Sequence, residues 1–129
     1  MTDLRLRRIA AIAVLLSASC SQSPLVPFRR AVDQAASWAA AIQYAHELES
    51  HRAVPAAYVK QIVKDGKTAI QTVRQTITKA DDLPSDLKDQ ATTLCDQMIG
   101  VLSPQNIDVS RLAEIEHALR ALVSKTSGR

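Results

Sequence analysis

The chain has 129 residues, with 16 lysines and arginines against 13 aspartates and glutamates, for a net charge of +3. Hydrophobic residues make up 47% of it but aromatic residues only 3%. Mixed charges and few aromatic side chains disfavour nucleic-acid binding, which usually needs a dense basic surface with stacking rings. Three scattered glycines exclude a glycine-rich phosphate loop. This length suits one small domain.

The first 19 residues have the pattern of an export signal. Arg5, Arg7 and Arg8 form a basic head, which is followed by the uncharged apolar run 9–18. As a helix, ten residues would be about 15 Å long, half of the ~30 Å hydrocarbon layer of a membrane. The run is therefore too short for an ordinary spanning helix, and its length suits a cleavable signal peptide covering residues 1–19.

The end of this segment reads Leu-Ser-Ala-Ser-Cys, from Leu16 to Cys20. It resembles the lipobox of bacterial lipoproteins, with the leucine one place earlier than usual. The resemblance implies that Cys20 is lipidated and becomes the first residue of the mature protein. Ser21, which stands where an aspartate would favour retention at the inner membrane, then implies the outer membrane. An ordinary secretory signal and an uncleaved amphipathic anchor are the two alternatives.

Removal of the signal changes the charge balance of the chain. Residues 1–19 hold three arginines and one aspartate, so the mature part has 13 basic and 12 acidic residues. Its net charge is +1, and the basic character of the chain comes largely from the signal. We therefore expect no nucleic-acid partner.

Residues 20–27 are predicted to be a tether, because two prolines interrupt regular structure there. The first helix is predicted over residues 28–52. One face carries apolar residues at steps of three and four, namely Phe28, Val32, Ala35, Ala39 and Ile42. A second, neighbouring stripe consists of Trp38, Ala41, Ala45 and Leu48. The proline at position 55 ends the helix, since a residue before proline avoids the helical region.

The second helix is predicted over residues 55–80 and has the most regular apolar repeat in the chain. The repeat consists of Val59, Val63, Gly66, Ile70, Val73, Ile77 and Ala80. Its many threonines and β-branched residues lower intrinsic helicity, so tertiary packing has to stabilise it. Gly66 costs about 1 kcal/mol relative to alanine. It either permits a close helix crossing or bends the helix slightly.

The third helix is predicted over residues 84–102, with a buried stripe of Leu87, Ala91, Leu94, Met98 and Val101. The fourth starts after Asp108, which can cap it, while Ile107 and Leu112 are spaced for a hydrophobic staple. Its buried face is predicted to contain Leu112, Ile115, Leu119 and Leu122. Fraying is expected after Val123, with residues 126–129 as a frayed tail.

Four helices with short connections predict an all-α fold, an up-and-down bundle of three to four helices over residues 28–125. The alternative is a long hairpin of the first two helices with a loosely docked second pair. No strand and no internal repeat is evident.

Candidate reactive residues are few. His46 and His51 are five residues apart, which separates them by about 140° on a helix and does not suit a shared metal ion. His117 reads as a surface residue. Four aspartates, Asp81, Asp82, Asp86 and Asp89, cluster around the second turn, where they are expected to cap and to be solvated. We therefore predict no catalytic, cofactor-binding or metal-binding residue and no enzyme activity.

The second cysteine, Cys95, follows Leu94 and is expected to border the buried stripe. If Cys20 is lipidated, Cys95 has no partner within the chain. A buried free thiol and an intermolecular disulfide are the two interpretations, and the first is the commoner fate of a lone cysteine.

The sequence favours a non-catalytic helical lipoprotein that faces the periplasm and acts as a structural or protein-interaction element. Its expected partners are the membrane, through Cys20, and another protein or a second copy. One alternative is a periplasmic bundle that binds a small molecule or metal, with Trp38, Tyr44 and the histidines lining a pocket. Another is a small lipoprotein carried by a phage or mobile element.

Overall fold

The computed structural model describes residues 23–103 and 105–128. Within these ranges the chain forms four α-helices and no strand, which confirms the predicted all-α class. The helices are α1 (Leu25–Ser50), α2 (Ala56–Thr78), α3 (Ser85–Val101) and α4 (Val109–Ser127). The predicted signal segment and Cys20 lie outside the described residues.

Helix α1 starts three residues earlier than predicted, at Leu25, and includes Pro27 in its first turn. A proline is tolerated there because the first backbone N–H groups of a helix have no partner within it. The hydroxyl of Ser23 accepts a hydrogen bond from the Leu25 N–H at 3.3 Å. The last part of the predicted tether, residues 25–27, is therefore helical, and Leu25 packs against the core.

Helix α1 ends with the backbone pattern that usually requires glycine. Arg52 has a positive φ of 58°, and its N–H donates to the Glu49 carbonyl. The next N–H, of Ala53, donates to the Leu48 carbonyl at 2.8 Å. These two hydrogen bonds form a Schellman motif, with arginine at the left-handed position. The helix thus ends before the chain reaches Pro55.

Helix α3 buries a different stripe from the predicted one. Cys95 is 1% exposed and occupies a core position, whereas Leu94 and Val101 are half-buried and Leu102 is buried. The prediction that Cys95 borders the core is therefore wrong. Leu94 and Cys95 lie 100° apart on the helix, so only one of them can point straight into the core. Cys95 takes that position, and Leu94 packs at the edge of the core.

Helix α4 begins as predicted, because the Asp108 carboxylate accepts a hydrogen bond from the Arg111 N–H at 3.0 Å. It continues to Ser127, past the point at which we expected fraying. Thr126 is fully buried, and its carbonyl accepts a hydrogen bond from the Arg29 guanidinium at 2.8 Å. The start of α1 thus holds the end of α4 in place.

The four helices form a closed ring of neighbours, α1–α2–α3–α4 and back to α1. The α1–α4 and α1–α2 contacts are the most extensive, the α3–α4 contacts are the least extensive in the ring, and α1 and α3 touch across the centre. Short connections make sequential neighbours antiparallel, which gives the predicted up-and-down bundle. The alternative hairpin with a loosely docked second pair is excluded, since α4 packs extensively on α1.

The core consists almost entirely of aliphatic side chains from all four helices. All predicted stripe residues of α1, α2 and α4 are buried, except for Trp38, Ala41 and Leu48 on the second stripe of α1 and for Ala80. A methyl group added at Gly66 would lie 2.7 Å from Ile42 Cδ1 and 3.1 Å from Trp38 Cε3. The absence of a side chain at Gly66 therefore allows α1 and α2 to approach closely there.

Candidate functional site

One open site on the described bundle is an apolar groove between α3 and α4, with a volume of about 530 Å³. Its lining residues are Asp89, Gln90, Thr93, Leu94, Ala118, Ala121, Leu122 and Lys125. We call it the α3–α4 groove. Leu94 lines it because Cys95 takes the buried position on α3, and the two alanines on α4 have side chains too small to fill the space between the helices.

Both charged residues of the α3–α4 groove lie at one end. Asp89 is in the second turn of α3 and Lys125 is in the last turn of α4, and the two helices run antiparallel. Both side chains are exposed, and neither forms an ion pair with another residue of the described ranges. The groove therefore has an apolar centre with one acidic and one basic group at the same level.

A second groove, of about 480 Å³, lies between α1 and the start of α4. Tyr44, His46 and Glu47 line it on the α1 side, and Gln43 donates a hydrogen bond to Glu116 of α4 at 2.8 Å across it. Tyr44 is 62% exposed, so this groove is shallow, and its lining is more polar than that of the α3–α4 groove. Two of the expected pocket residues, Tyr44 and His46, do share a site.

Trp38 lies elsewhere. It packs against the α1–α2 crossing at Gly66 and lines a separate depression with Gln34, Ser37 and Ala41. His51 is exposed at the end of α1, and His117 is exposed on α4. The expected pocket of Trp38, Tyr44 and the three histidines is therefore not formed, because these side chains leave the helices in different directions.

The acidic cluster lies on the surface. Asp81, Asp82, Asp86 and Asp89 are all exposed at the turn between α2 and α3 and in the first turns of α3. Within the described residues, no three side chains of histidine, cysteine, aspartate or glutamate converge closely enough to hold a metal ion. The Lys88 ammonium donates to the Ala80 carbonyl at 2.9 Å, which fixes the turn.

Cys95 is the one strongly perturbed acid in the described part of the chain. Burial, together with the neighbouring carboxylate of Asp96, raises the pKa of the Cys95 thiol from 9.0 to about 11. The guanidinium of Arg74 pairs with both Asp96 oxygens across the α2–α3 interface, and this hydrogen bonding raises the pKa of Arg74. The thiol is thus kept protonated and inaccessible, which makes it a core residue and a poor nucleophile.

The end of the bundle nearest to the N-terminal segment can be identified. Pro24, Pro27 and Phe28 pack around a small cavity with Ile77 and Leu83 of the α2–α3 turn. The end of α4 lies at the same end, through the Arg29–Thr126 hydrogen bond. Five peptide units separate Cys20 from Leu25, a reach of about 18 Å at most. A lipid at Cys20 would hold this end of the bundle close to the membrane.

Sequence reasoning missed the α3–α4 groove because the stripe of α3 was assigned to Leu94. Steps of four, four, three and four from Leu87 through Ala91, Cys95 and Met98 to Leu102 fit a helix equally well, and only packing decides between the two stripes.

No described helix combines the length and the hydropathy required to cross a membrane. No protein-family model matches the chain, and the comparisons with curated proteins and with solved structures likewise found no match.

Proposed function

We propose that this chain is a non-catalytic helical lipoprotein of a bacterial cell envelope, anchored by a lipid at Cys20 and acting through protein contacts on the periplasmic side. The observation that carries the proposal is the order of the segments along the chain. A basic head, an apolar run and the segment Leu16–Cys20 are followed, within five residues, by a folded bundle that starts at Leu25.

The short distance between Cys20 and the bundle supports an anchoring role. One acyl chain gives only marginal membrane binding, whereas several chains on one residue anchor a protein stably. An anchor within about 18 Å of α1 would fix which end of the bundle faces the membrane. The α1–α2 and α3–α4 connections would then point away from the membrane, and the sides of all four helices would be open to other proteins.

The surface supports a contact role. The α3–α4 groove is open and mainly apolar, a shape that side chains of a neighbouring helix can fill. By resemblance to lipoproteins with the same residue after the cysteine, Ser21 favours the outer membrane.

A small-molecule-binding bundle is the second candidate function, favoured only by Tyr44 and His46 sharing one groove. A thermal-shift screen of metals and metabolites with Tyr44→Ala as the control tests it.

The anchor is tested by labelling with a fatty-acid analogue in a bacterial host. We expect the wild-type chain to be labelled and to sediment with membranes. Cys20→Ala should lose the label, and should either leave the membrane fraction or remain unprocessed, because no other site can accept the lipid. Cys95→Ser is the matched control, since it removes the other cysteine and should keep the label.

Label retained in Cys20→Ala, or wild-type protein found entirely outside the membrane fraction, would refute the lipoprotein proposal. Label lost in Cys95→Ser but retained in Cys20→Ala would place the lipid on Cys95 and would also refute the lipoprotein proposal.

A further inference from the structure

We propose that the α3–α4 groove is the interface of a parallel homodimer, in which a second copy of this chain packs its own α3–α4 groove face to face with the first. The orientation of the dimer rests on the lipid anchor proposed above, and the pairing of the two copies rests on the charges of the groove.

The unfilled space is the first argument. Leu94 and Ala118 are half-buried and Ala121 is exposed, so apolar surface remains open beside the buried Leu122. Small residues on α4 allow another helix to approach closely, and the groove of about 530 Å³ can take in several side chains. A second copy presents the same half-buried leucine to fill it.

Charge complementarity selects the partner and its direction. Asp89 on α3 and Lys125 on α4 lie at the same end of the groove and have no ion pair with the described residues. A twofold axis parallel to the helices places α3 of one copy opposite α4 of the other at the same level. Asp89 then faces the partner's Lys125, and Lys125 faces the partner's Asp89.

A twofold axis perpendicular to the helices gives a different result. It places the Asp89–Lys125 end of one copy against the opposite end of the other, so neither charge meets its complement. The groove is therefore self-complementary in the parallel arrangement and not in the antiparallel one. In a twofold interface, each such pair occurs twice.

Membrane anchoring requires the same arrangement. With the axis parallel to the helices, both α1 N-termini lie at the same end of the dimer, so both Cys20 residues can reach one membrane. An antiparallel dimer would place the two anchors at opposite ends of helices that are about 25 Å long or longer. The charges and the anchor thus select the same geometry independently.

The expected dimer is weak in dilute solution. Helices of 17 and 19 residues offer a face about 25 Å long and about 20 Å wide, or about 500 Å², whereas a standard interface buries about 800 Å² per partner. Confinement of both copies to one membrane raises their effective concentration and favours pairing. We therefore expect dimers in membranes at expression levels at which the released protein is monomeric.

The test uses the full-length chain in envelope membranes, with Ala121→Cys at the centre of the groove. In the parallel dimer the two α4 helices lie diagonally across the axis, so two cysteines at position 121 are too far apart for a direct disulfide. We therefore expect a bismaleimide crosslinker with a spacer of about 10 Å to give a covalent dimer on denaturing electrophoresis. Ala41→Cys is the matched control, since it is an exposed alanine on α1 away from the groove. We expect at least a fivefold excess of dimer for Ala121→Cys. The unmodified chain, with its buried Cys95, gives the background.

Charge exchange tests the pairing itself. In the Ala121→Cys background, Lys125→Asp places two carboxylates opposite each other and should reduce the dimer several-fold. Adding Asp89→Lys to that variant restores opposite charges and should restore the dimer. Equal crosslinking at positions 41 and 121, no effect of the single change, or no rescue by the double change would overturn the proposal. A heavier adduct specific to Ala121→Cys would identify another protein as the occupant and also overturn it.

Fractionation of the same samples separates this proposal from the anchor. Crosslinking through position 121 in a soluble chain would support the dimer proposal and contradict the lipid-anchor proposal. A membrane-bound chain without the crosslink would keep the anchor and reject the dimer, and a soluble chain without the crosslink would reject both.

Discussion

At the scale of single residues, Cys95 is the group whose chemistry the fold changes most. It is 1% exposed, and burial beside Asp96 raises its pKa to about 11. We expect the thiol to stay reduced in native protein and to react with a maleimide at least tenfold more slowly than in denaturant, because the reacting species is the thiolate. A dimer band on non-reducing gels that disappears in Cys95→Ser would contradict this prediction.

The same shift predicts how stability depends on pH. The pKa of Cys95 is higher in the folded than in the unfolded chain, so folding favours the protonated thiol. This stabilisation is complete below pH 9 and is lost as the pH rises from 9 to 11, by at most about 2–3 kcal/mol. Cys95→Ala should remove this part of the alkaline loss of stability, which urea unfolding at a series of pH values measures. Identical alkaline profiles would show that the thiol does not titrate with folding.

At the scale of elements, the α1–α2 crossing depends on a residue without a side chain. Gly66→Leu would force atoms into the space next to Ile42 Cδ1, which already lies 2.7 Å from the position of a Cβ. We expect a loss of about 1–3 kcal/mol in the free energy of unfolding, despite the better helix propensity of leucine. Gly100→Leu is the matched control, because a Cβ there meets nothing within 4 Å.

Gly100→Leu should be as stable as the wild-type chain or more stable, since only helix propensity changes at this exposed position of α3. Chemical unfolding followed by circular dichroism measures both variants. Equal effects of the two substitutions would mean that α1 and α2 do not cross closely at Gly66.

At the scale of the whole molecule, the bundle depends on one continuous apolar core, while its ion pairs are exposed. The side chains of Arg74 and Asp96 are 39% and 53% exposed, and such pairs typically contribute about 0–1 kcal/mol. Val73, in contrast, is 3% exposed on the longest buried stripe. The core therefore determines whether the chain folds, and the exposed ion pairs affect it little.

Val73→Asp should leave the domain largely unfolded. An unpaired buried carboxylate costs several kcal/mol, against a total of about 5–15 kcal/mol for a domain of this size. Thr72→Asp is the matched control, since it introduces the same charge one residue away on the exposed side of α2 and should keep the helical circular dichroism signal. A folded Val73→Asp variant of wild-type stability would show that this stripe does not form the core.

The sequence by itself determined the class of fold, the helix bounds to within a few residues and most of the core. The 3.6-residue period leaves only one face of α2 and α4 apolar, so the buried residues from Val59 to Ile77 and from Leu112 to Leu122 follow from spacing alone. The helix cap at Asp108 was also predictable from the sequence, because it depends only on a hydrogen bond between residues three apart. The predicted lipidation of Cys20 is likewise a property of a local pattern, and it stays a prediction.

Tertiary structure decided what depends on contacts between distant segments. Leu94 and Cys95 suit the inner face of α3 almost equally, and in the packed bundle Cys95 is buried while Leu94 lines the α3–α4 groove. The end of α4 stays helical because Arg29, 97 residues earlier in the chain, donates a hydrogen bond to the carbonyl of Thr126. Periodicity specifies which residues share a face, but only the packed neighbours determine which of two adjacent side chains points inward, since that choice depends on volumes and partners that local sequence does not contain.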